Sequence, residues 1–202
     1  MELIEKATII HYHRHRIKEF GDKTVKSLGW KGDISQSKRF EVISQLADLN
    51  ESSIMDLGCG RGDLRAFLGE QFKDFAYIGI DQMPEFITEA NSLYGALPDT
   101  FFYQTDFTTV ELPQVEYVIA SGALGYRCSK PNFYNEMIAR MYSSAKRALA
   151  FNMLDIASFP DHPLLIGHDR GEVLSFCQAL SPRVELIEDY LDDDFTIFMY
   201  RD

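Results

Sequence analysis

One short stretch of the sequence places an acid directly ahead of three glycines at alternate positions. Asp56 stands near the end of the apolar run 54–57, and Gly58, Gly60 and Gly62 follow it. Glycine has no Cβ, so a ligand can approach such a turn closely, and the free N–H groups of a following helix face the same place. The spacing differs from the G-x-G-x-x-G of dinucleotide sites, and the acid would repel a pyrophosphate but suit a cationic amine. The stretch therefore predicts a site for a nucleoside that carries an amino acid, with a glycine-rich turn that binds nothing as the alternative.

A second acid stands where a carboxylate can accept hydrogen bonds from ribose hydroxyls. Asp81 ends the apolar segment 75–81 and follows Gly60 by 21 residues, an offset typical of the acid at the tip of the second strand in nucleotide-binding folds. Asp81 alone could instead cap the helix that begins at Pro84. Because it accompanies Asp56 and the glycines, we interpret it as part of the same nucleoside site.

The loops after the third and fourth predicted strands add further candidates. Asp106 and Phe107 follow the strand predicted at 100–104. This acid could accept a hydrogen bond from an adenine amino group while the ring packs nearby. Ser121 and Gly122 begin a loop of small residues, where a ligand can approach the backbone.

These loops can meet only if they leave one edge of a sheet. Apolar runs that alternate with helical patterns predict five strands, at 54–57, 75–81, 100–104, 115–120 and 148–154. Two more strands, 183–190 and 195–201, are joined by only four residues, too few for a parallel crossover, so the last strand must be antiparallel. The sequence predicts a doubly wound, mostly parallel, seven-stranded α/β sheet with an antiparallel last strand.

Residues 1–50 precede the first strand and are predicted to form a helical extension to a core at 51–202. Apolar residues recur at helical spacing over 2–20, at Leu3, Ile4, Ala7 and Ile10. A second helix is expected from Ser35, as its N-cap, to about Leu49.

We expect part of this extension, residues 11–39, to cover the bound nucleoside as a lid that excludes water. The connector between the helices contains Trp30 between two glycines, and Gln36 and Arg39 lie in the first two turns of the second helix. These three side chains are therefore candidate ligand contacts. A helical pair packed on the flank of the sheet is the alternative.

Composition limits the class of protein and its partners. The chain has 202 residues and a formal net charge of −11, which disfavours nucleic acid because a binder must neutralise phosphates. No apolar run is long enough for a membrane span and no signal peptide is apparent. The three cysteines are isolated, which is typical of a reduced cytoplasmic protein. His11 and His15 share a helix face, but no further ligand completes a metal site near them.

Together, these features resemble the class I S-adenosylmethionine-dependent methyltransferases. Residues 52–202 carry the resemblance, and the stretch 55–62, Met-Asp-Leu-Gly-Cys-Gly-Arg-Gly, matches the first motif of that family. The sequence is also similar to small bacterial-type members with unassigned acceptors. The resemblance implies a Rossmann-like methyltransferase fold, S-adenosylmethionine as co-substrate, and no metal.

The resemblance also implies a role for each candidate residue. The turn of Gly58, Cys59 and Gly60 would lie against the methionine part of the co-substrate, and Asp56 would hold its ammonium group. Asp81 would bind the ribose hydroxyls. The remaining family positions would contact adenine or the methionine part: Gln82, Met83, Asp106, Phe107, Ser121 and Gly122.

The sequence thus predicts an enzyme, monomeric or homodimeric, that transfers a methyl group to an oxygen or nitrogen atom of a small-molecule acceptor. The alternatives are a non-catalytic S-adenosylmethionine-binding module and a methyltransferase that acts on a protein or RNA. The Asn/Asp-Pro-Pro-aromatic tetrapeptide of enzymes that methylate base amines or glutamine is absent after the fourth strand. If a general base is used, the candidates are histidines and tyrosines outside the motifs: His11, Tyr12, His15, Tyr126, His162 and His168.

Overall fold

The computed structural model describes residues 1–21, 24–29 and 33–202. Trp30 lies outside the described residues. The helices, in chain order, are α1 (Leu3–Phe20), a short 3₁₀ helix (Val25–Leu28), α2 (Asp33–Ile43), α3 (Asp63–Gln71), α4 (Pro84–Tyr94), α5 (Phe133–Ser144) and α6 (Arg170–Leu180). The strands are β1 (Ser53–Leu57), β2 (Ala76–Asp81), β3 (Thr100–Gln104), β4 (Val115–Ala120), β5 (Ala145–Asp155), β6 (Gly167–His168), β7 (Arg183–Ile187) and β8 (Asp194–Tyr200).

The strands form one sheet in the order β3-β2-β1-β4-β5-β8-β7, and β6 pairs with the end of β5. Strand β8 runs antiparallel to both of its neighbours, β5 and β7, whereas β1 to β5 are parallel where they pair. The predicted doubly wound sheet with an antiparallel last strand is therefore confirmed. The strand order reverses between β1 and β4, and ligands of such sheets bind at this reversal, beyond the carboxyl ends of the strands.

Three boundaries differ from the sequence-based expectation. Helix α2 begins at Asp33, so Ser35 lies inside it and does not cap it. The helix also ends at Ile43 and not near Leu49, because the amides of Gln45 and Leu46 bond to carbonyl groups three positions back, which tightens the turn. In the segment 156–168, predicted as a loop, two residues pair with β5 as β6.

Helix α1 forms where predicted, but most of the apolar residues that predicted it do not face the protein. Leu3 and Ile4 are 82% and 74% exposed, while Ile9 and His13 are buried. Leu3 and Ile4 stay exposed because of the surface on which the helix lies. Helix α1 does not cover an apolar sheet face; it crosses polar loops at the strand ends, which it contacts through polar side chains such as Lys6. Within the described residues, no helix combines the length and apolar character needed to span a membrane.

Candidate active site

The glycine turn after β1 has a backbone geometry that requires glycine. Gly58 and Gly60 have φ angles of +77° and +54°, which L side chains rarely adopt. A Cβ on Gly58 would lie 2.8 Å from Cβ of Ala123, and one on Gly60 would lie 2.8 Å from Cδ2 of Leu28. The turn is thus closely packed on both sides, between the loop after β4 and the 3₁₀ helix.

Two acids flank this turn, and burial changes the pKa of both. Asp56 is only 2% exposed and accepts a 2.5 Å hydrogen bond from the Tyr77 hydroxyl. Burial raises the pKa of Asp56 to about 7, although the Tyr77 hydrogen bond opposes the shift. At neutral pH this carboxyl group therefore titrates, and a cationic ligand group beside it would favour its charged form.

Asp81, at the tip of β2, is held by backbone amides. Its Oδ2 accepts a hydrogen bond from the N–H of Gly60 at 3.0 Å, and its Oδ1 accepts one from the N–H of Met83 at 2.8 Å. Burial raises the pKa of Asp81 to about 6, and these amide hydrogen bonds oppose the shift. The acid therefore fixes the position of the glycine turn relative to β2 while its side chain faces the cavity described next.

A cavity of about 1000 Å³, here called the donor cavity, lies beyond the strand ends at the reversal of strand order. Twelve of the predicted site residues line it: Gln36, Asp56, Gly58, Cys59, Gly60, Asp81, Gln82, Met83, Asp106, Phe107, Ser121 and Gly122. The structure thus brings together residues that span almost the whole predicted site. Arg39 is not among the residues that line the donor cavity, and Trp30 lies outside the described residues.

Two residues that line the donor cavity, Gln36 and Asp106, already have polar partners within the protein. The Gln36 amide donates to Asp63 at 3.2 Å. Asp106 lies 2.5 Å from the Lys6 ammonium group of α1 and accepts hydrogen bonds from Thr108. Burial raises the pKa of Asp106, but Lys6 and Thr108 outweigh this and lower it overall. Asp106 is therefore an anionic hydrogen-bond acceptor at one end of the cavity, with α1 lying over it.

Comparison with known proteins shows what part of the chain is similar to. Residues 54–148 match a family described as a methyltransferase domain. Trans-aconitate 2-methyltransferase of Escherichia coli O1:K1 is 29% identical over 126 residues, which cover 62% of this chain and 48% of that enzyme. The match to this relative thus spans about half of its length.

Solved structures show the same fold. The magnesium protoporphyrin IX methyltransferase of Synechocystis PCC 6803 with bound SAH (S-adenosylhomocysteine) has a TM-score of 0.73 at 16% identity, covering 98% of this chain and 100% of that chain. A putative S-adenosylmethionine-dependent methyltransferase from Listeria monocytogenes has a TM-score of 0.66 at 14% identity, covering 83% and 99% of the two chains.

Residues 54–148 resemble a methyltransferase domain, and the chain has the fold of these S-adenosylmethionine-dependent methyltransferases.

The residues of the donor cavity fit the co-substrate of the methyltransferases that the chain resembles. The hydroxyl oxygen of Ser121 is buried and has no hydrogen-bond partner among the described residues, so a ligand group in the cavity could supply one. Its neighbour Gly122 is fixed by a 2.7 Å hydrogen bond from its N–H to Oδ1 of Asn152. With the anionic Asp81 and the close-packed glycine turn, these groups suit a nucleoside that carries an amino acid.

A second cavity, which we call the acceptor cavity, lies next to the donor cavity. It shares Leu28, Gly122 and Tyr126 with the donor cavity, so the two adjoin. Most of its wall is apolar or aromatic, and these side chains are Tyr12, Leu28, Tyr126, Met153, Leu154, Phe159 and Leu165.

Arg39 lines this second cavity, where it is paired with a buried acid. Its guanidinium group donates from Nε to Oδ2 of Asp194 at 2.8 Å, and from Nη2 to the same oxygen. Asn152 and Tyr190 donate to the same carboxylate. This network ties α2 to the start of β8, and it was missed in the sequence because its members stand far apart in the chain.

His13 is the other functional candidate that the sequence analysis missed. Its Nε2 lies 2.6 Å from the hydroxyl oxygen of Tyr126, and its Nδ1 lies 3.2 Å from the carbonyl oxygen of Ser27. His11 and His15, the base candidates on the same helix, are exposed. Helix α1 presents His13 inward, one turn after the buried Ile9. The sequence did not show that the face with these two residues is the buried one.

Proposed function

We propose that this methyltransferase transfers the methyl group of S-adenosylmethionine to an oxygen or nitrogen atom of a small-molecule acceptor. The observation that carries the proposal is the pair of adjoining cavities with Tyr126 between them. One cavity has the acids and glycines that suit the co-substrate. The other is a mostly apolar hollow with a few polar groups on its wall, as is common in small-molecule sites.

The co-substrate supplies a methyl group already activated by a sulfonium sulfur, so the protein's main tasks are to align the acceptor and to exclude water. Holding two reactants in line can lower the activation free energy by about 7–11 kcal/mol. In the donor cavity, Asp56 would face the ammonium group and Asp81 the ribose, while Asp106 would accept from adenine. Ser121 and Gly122 would line the methionine part.

Residues 1–50 would then act as the cover of both cavities, and 51–202 as the core. Helix α1 contributes Ile9 and His13 to the donor cavity and Tyr12 to the acceptor cavity. It is docked on the strand-end loops by Lys6 and by Glu5, which accepts a hydrogen bond from the N–H of Ser129 at 2.5 Å. A closed cover of this kind favours an acceptor small enough to be enclosed.

Two of the methyltransferases described above have a small molecule in their names, trans-aconitate and magnesium protoporphyrin IX. These names are consistent with a small-molecule acceptor. The test is a panel of phenols, alcohols, amines and carboxylic acids incubated with S-adenosylmethionine, with S-adenosylhomocysteine release and product mass as readouts. We expect turnover of at least one panel member. Labelling of an RNA or protein fraction by methyl-tritiated co-substrate, with no turnover of any small molecule, would contradict the proposal.

A further inference from the structure

We propose that the acceptor cavity binds an uncharged molecule with a hydroxyl group, and that Tyr126 accepts the hydroxyl proton with His13 as its positioning and proton-receiving partner. This inference rests on the proposed function and names its acceptor class. It begins from the position of Tyr126, which is the one tyrosine that lines both cavities among the residues the structure describes.

The hydrogen bonds of His13 determine the direction of proton transfer. The carbonyl oxygen of Ser27 can only accept, so Nδ1 of His13 carries the proton in that 3.2 Å contact. In a neutral ring Nε2 is then a bare acceptor, and the Tyr126 hydroxyl donates to it at 2.6 Å. The lone pairs of the Tyr126 oxygen remain available to accept a second hydrogen bond, from a molecule in the acceptor cavity.

The surroundings keep His13 neutral before the reaction. The ring is buried, and burial lowers its pKa to about 4, with the Ser27 carbonyl opposing the shift and Arg16 adding to it. Phe86 of α4 packs edge-on against the imidazole at a centroid distance of 5.2 Å. The charged or titratable groups that face the pair are Arg16 and Tyr12 of α1 and Asp81 at the tip of β2. The pair is thus uncharged at neutral pH.

The charges of the acceptor cavity indicate an uncharged acceptor. Arg39 is the one cation on its wall among the described residues, and Asp194 already neutralises it. Asp193 also lines the cavity. A tricarboxylate such as trans-aconitate would meet, among the described residues of this wall, no cation other than the already neutralised Arg39, and burying anions without partners is costly. An apolar body with one hydroxyl group fits this wall.

The transfer step balances for such an acceptor. The hydroxyl oxygen donates an electron pair to the methyl carbon as the carbon–sulfur bond breaks, and that bonding pair stays on sulfur. The hydroxyl proton moves to the Tyr126 oxygen while the Tyr126 proton moves to Nε2 of His13. The sulfur loses its positive charge as His13 gains one. The proton on Nε2 of His13 is released to water when the products leave.

The first test is a binding measurement that needs no turnover. Calorimetry with 2-naphthol as probe, on protein saturated with S-adenosylhomocysteine, should show binding in the wild type. Tyr126→Phe removes the accepting oxygen and should weaken it by about fivefold, the usual effect of one neutral hydrogen bond. His11→Gln, an exposed histidine of the same helix, should bind the probe as the wild type does. No binding to the wild type, or equal binding to Tyr126→Phe, would overturn the inference.

The second test uses a hydroxyl acceptor found by the panel. Tyr126→Phe and His13→Gln should lower kcat by about 100-fold, in the range of general-base contributions, with unchanged affinity for S-adenosylhomocysteine. With a phenol acceptor, the residual rate of both variants should rise tenfold per pH unit up to the phenol's own pKa, because only the phenolate reacts without a base. The wild-type rate should be flat over the same range.

The outcomes separate this inference from the proposed function. If the wild type methylates hydroxyl acceptors while both variants keep its rate and its flat pH profile, only the proton-accepting pair is wrong. If the wild type methylates only carboxylates, which have no proton to remove, the inference fails while the proposed function stands. If no small molecule is methylated, the proposed function fails, and the 2-naphthol measurement decides whether the cavity binds hydroxyl compounds at all.

Discussion

The donor and acceptor sides of the cleft are held together by different kinds of interaction. On the donor side, the glycine turn is fixed to the next strand by backbone amides, with the N–H groups of Gly58 and Cys59 donating to the carbonyl of Ile80 at 2.8 and 3.1 Å. On the acceptor side, the important contacts join side chains. His13 meets Tyr126 across 113 residues of sequence, and Arg39 meets Asp194 across 155.

This difference has a functional consequence. A co-substrate shared by a whole family needs an unvarying site, and backbone groups with glycines at fixed spacing provide it. An acceptor differs from one enzyme to another, and side chains brought together from α1, α2 and the loop after β4 can change without disturbing the turn. We therefore expect the two sides to respond separately to substitution, and the following predictions test this.

The largest effect is expected at the buried ion pair of the acceptor side. Asp194→Ala leaves the buried guanidinium group of Arg39 without its main partner, and breaking such a pair typically costs about 3–5 kcal/mol. The free energy of unfolding, measured with urea, should fall by this amount.

Two control experiments test whether the loss of stability comes from the unpaired buried charge. The double variant Arg39→Met with Asp194→Leu removes both charges and should recover much of the lost stability, since an apolar pair can replace a buried ion pair. Lys38→Ala removes an exposed pair with Glu41 on the same helix, and should cost less than about 0.5 kcal/mol. Equal losses in all three variants would show that the pair has no special role in attaching α2.

The next effect concerns the donor side. Asp81→Ala removes the acid that we expect to bind the ribose and that positions Gly60, so affinity for S-adenosylhomocysteine should fall by roughly 1–3 kcal/mol, or about fivefold to 150-fold. Calorimetry provides the measurement, and the exposed Glu111→Ala variant is the control for charge alone. Equal affinity in wild type and Asp81→Ala would remove Asp81 from the site.

Donor binding should also depend on pH through Asp56. Burial raises the pKa of this carboxyl group to about 7 in the free protein, so below pH 7 it must lose a proton before it can pair with an ammonium group. Affinity should therefore fall about tenfold between pH 8 and pH 6. For the free protein, a raised folded pKa means that this group's contribution to stability is present at low pH and is lost as the pH rises through about 7.

Asp56→Asn provides the matched variant for this experiment. It cannot titrate, so its affinity for S-adenosylhomocysteine should be lower than that of the wild type at pH 8, and the part of the pH dependence due to Asp56 should vanish. If the wild type binds equally at pH 6 and pH 8, Asp56 does not pair with the ligand's ammonium group.

The same contrast explains what the sequence could predict. The strands, their mostly parallel arrangement and most donor residues follow from local patterns, and Ser53 to Asp81, for example, form one strand-turn-helix-strand unit. The buried face of α1 could not be predicted, because Leu3 and Ile4 look like a core stripe while His13 looks like part of a solvated basic cluster. Pairings such as Arg39 with Asp194 depend on the tertiary fold alone and leave no local signal.

The smallest effect is expected where α1 covers the donor cavity. Lys6 holds the helix over Asp106 through a pair in which both side chains are 22% exposed. Such a pair contributes at most about 1 kcal/mol. We propose that α1 and the segment after it close over the bound co-substrate, so Lys6→Met should speed dissociation of S-adenosylhomocysteine by at most about fivefold, with little change in association. Lys18→Met, an exposed lysine near the end of α1, should leave both rates unchanged.

Trp30 can report on this motion because it is the only tryptophan in the sequence. In stopped-flow experiments its emission should change when S-adenosylhomocysteine binds, and the change should decay faster for Lys6→Met when the ligand is displaced. Calorimetry establishes that ligand is bound in each case. Bound ligand with constant Trp30 emission, together with wild-type dissociation from Lys6→Met, would mean that residues 1–50 are a fixed wall of the cleft. The acceptor would then have to enter through an opening that exists before the co-substrate binds, and its upper size limit would be set by that opening.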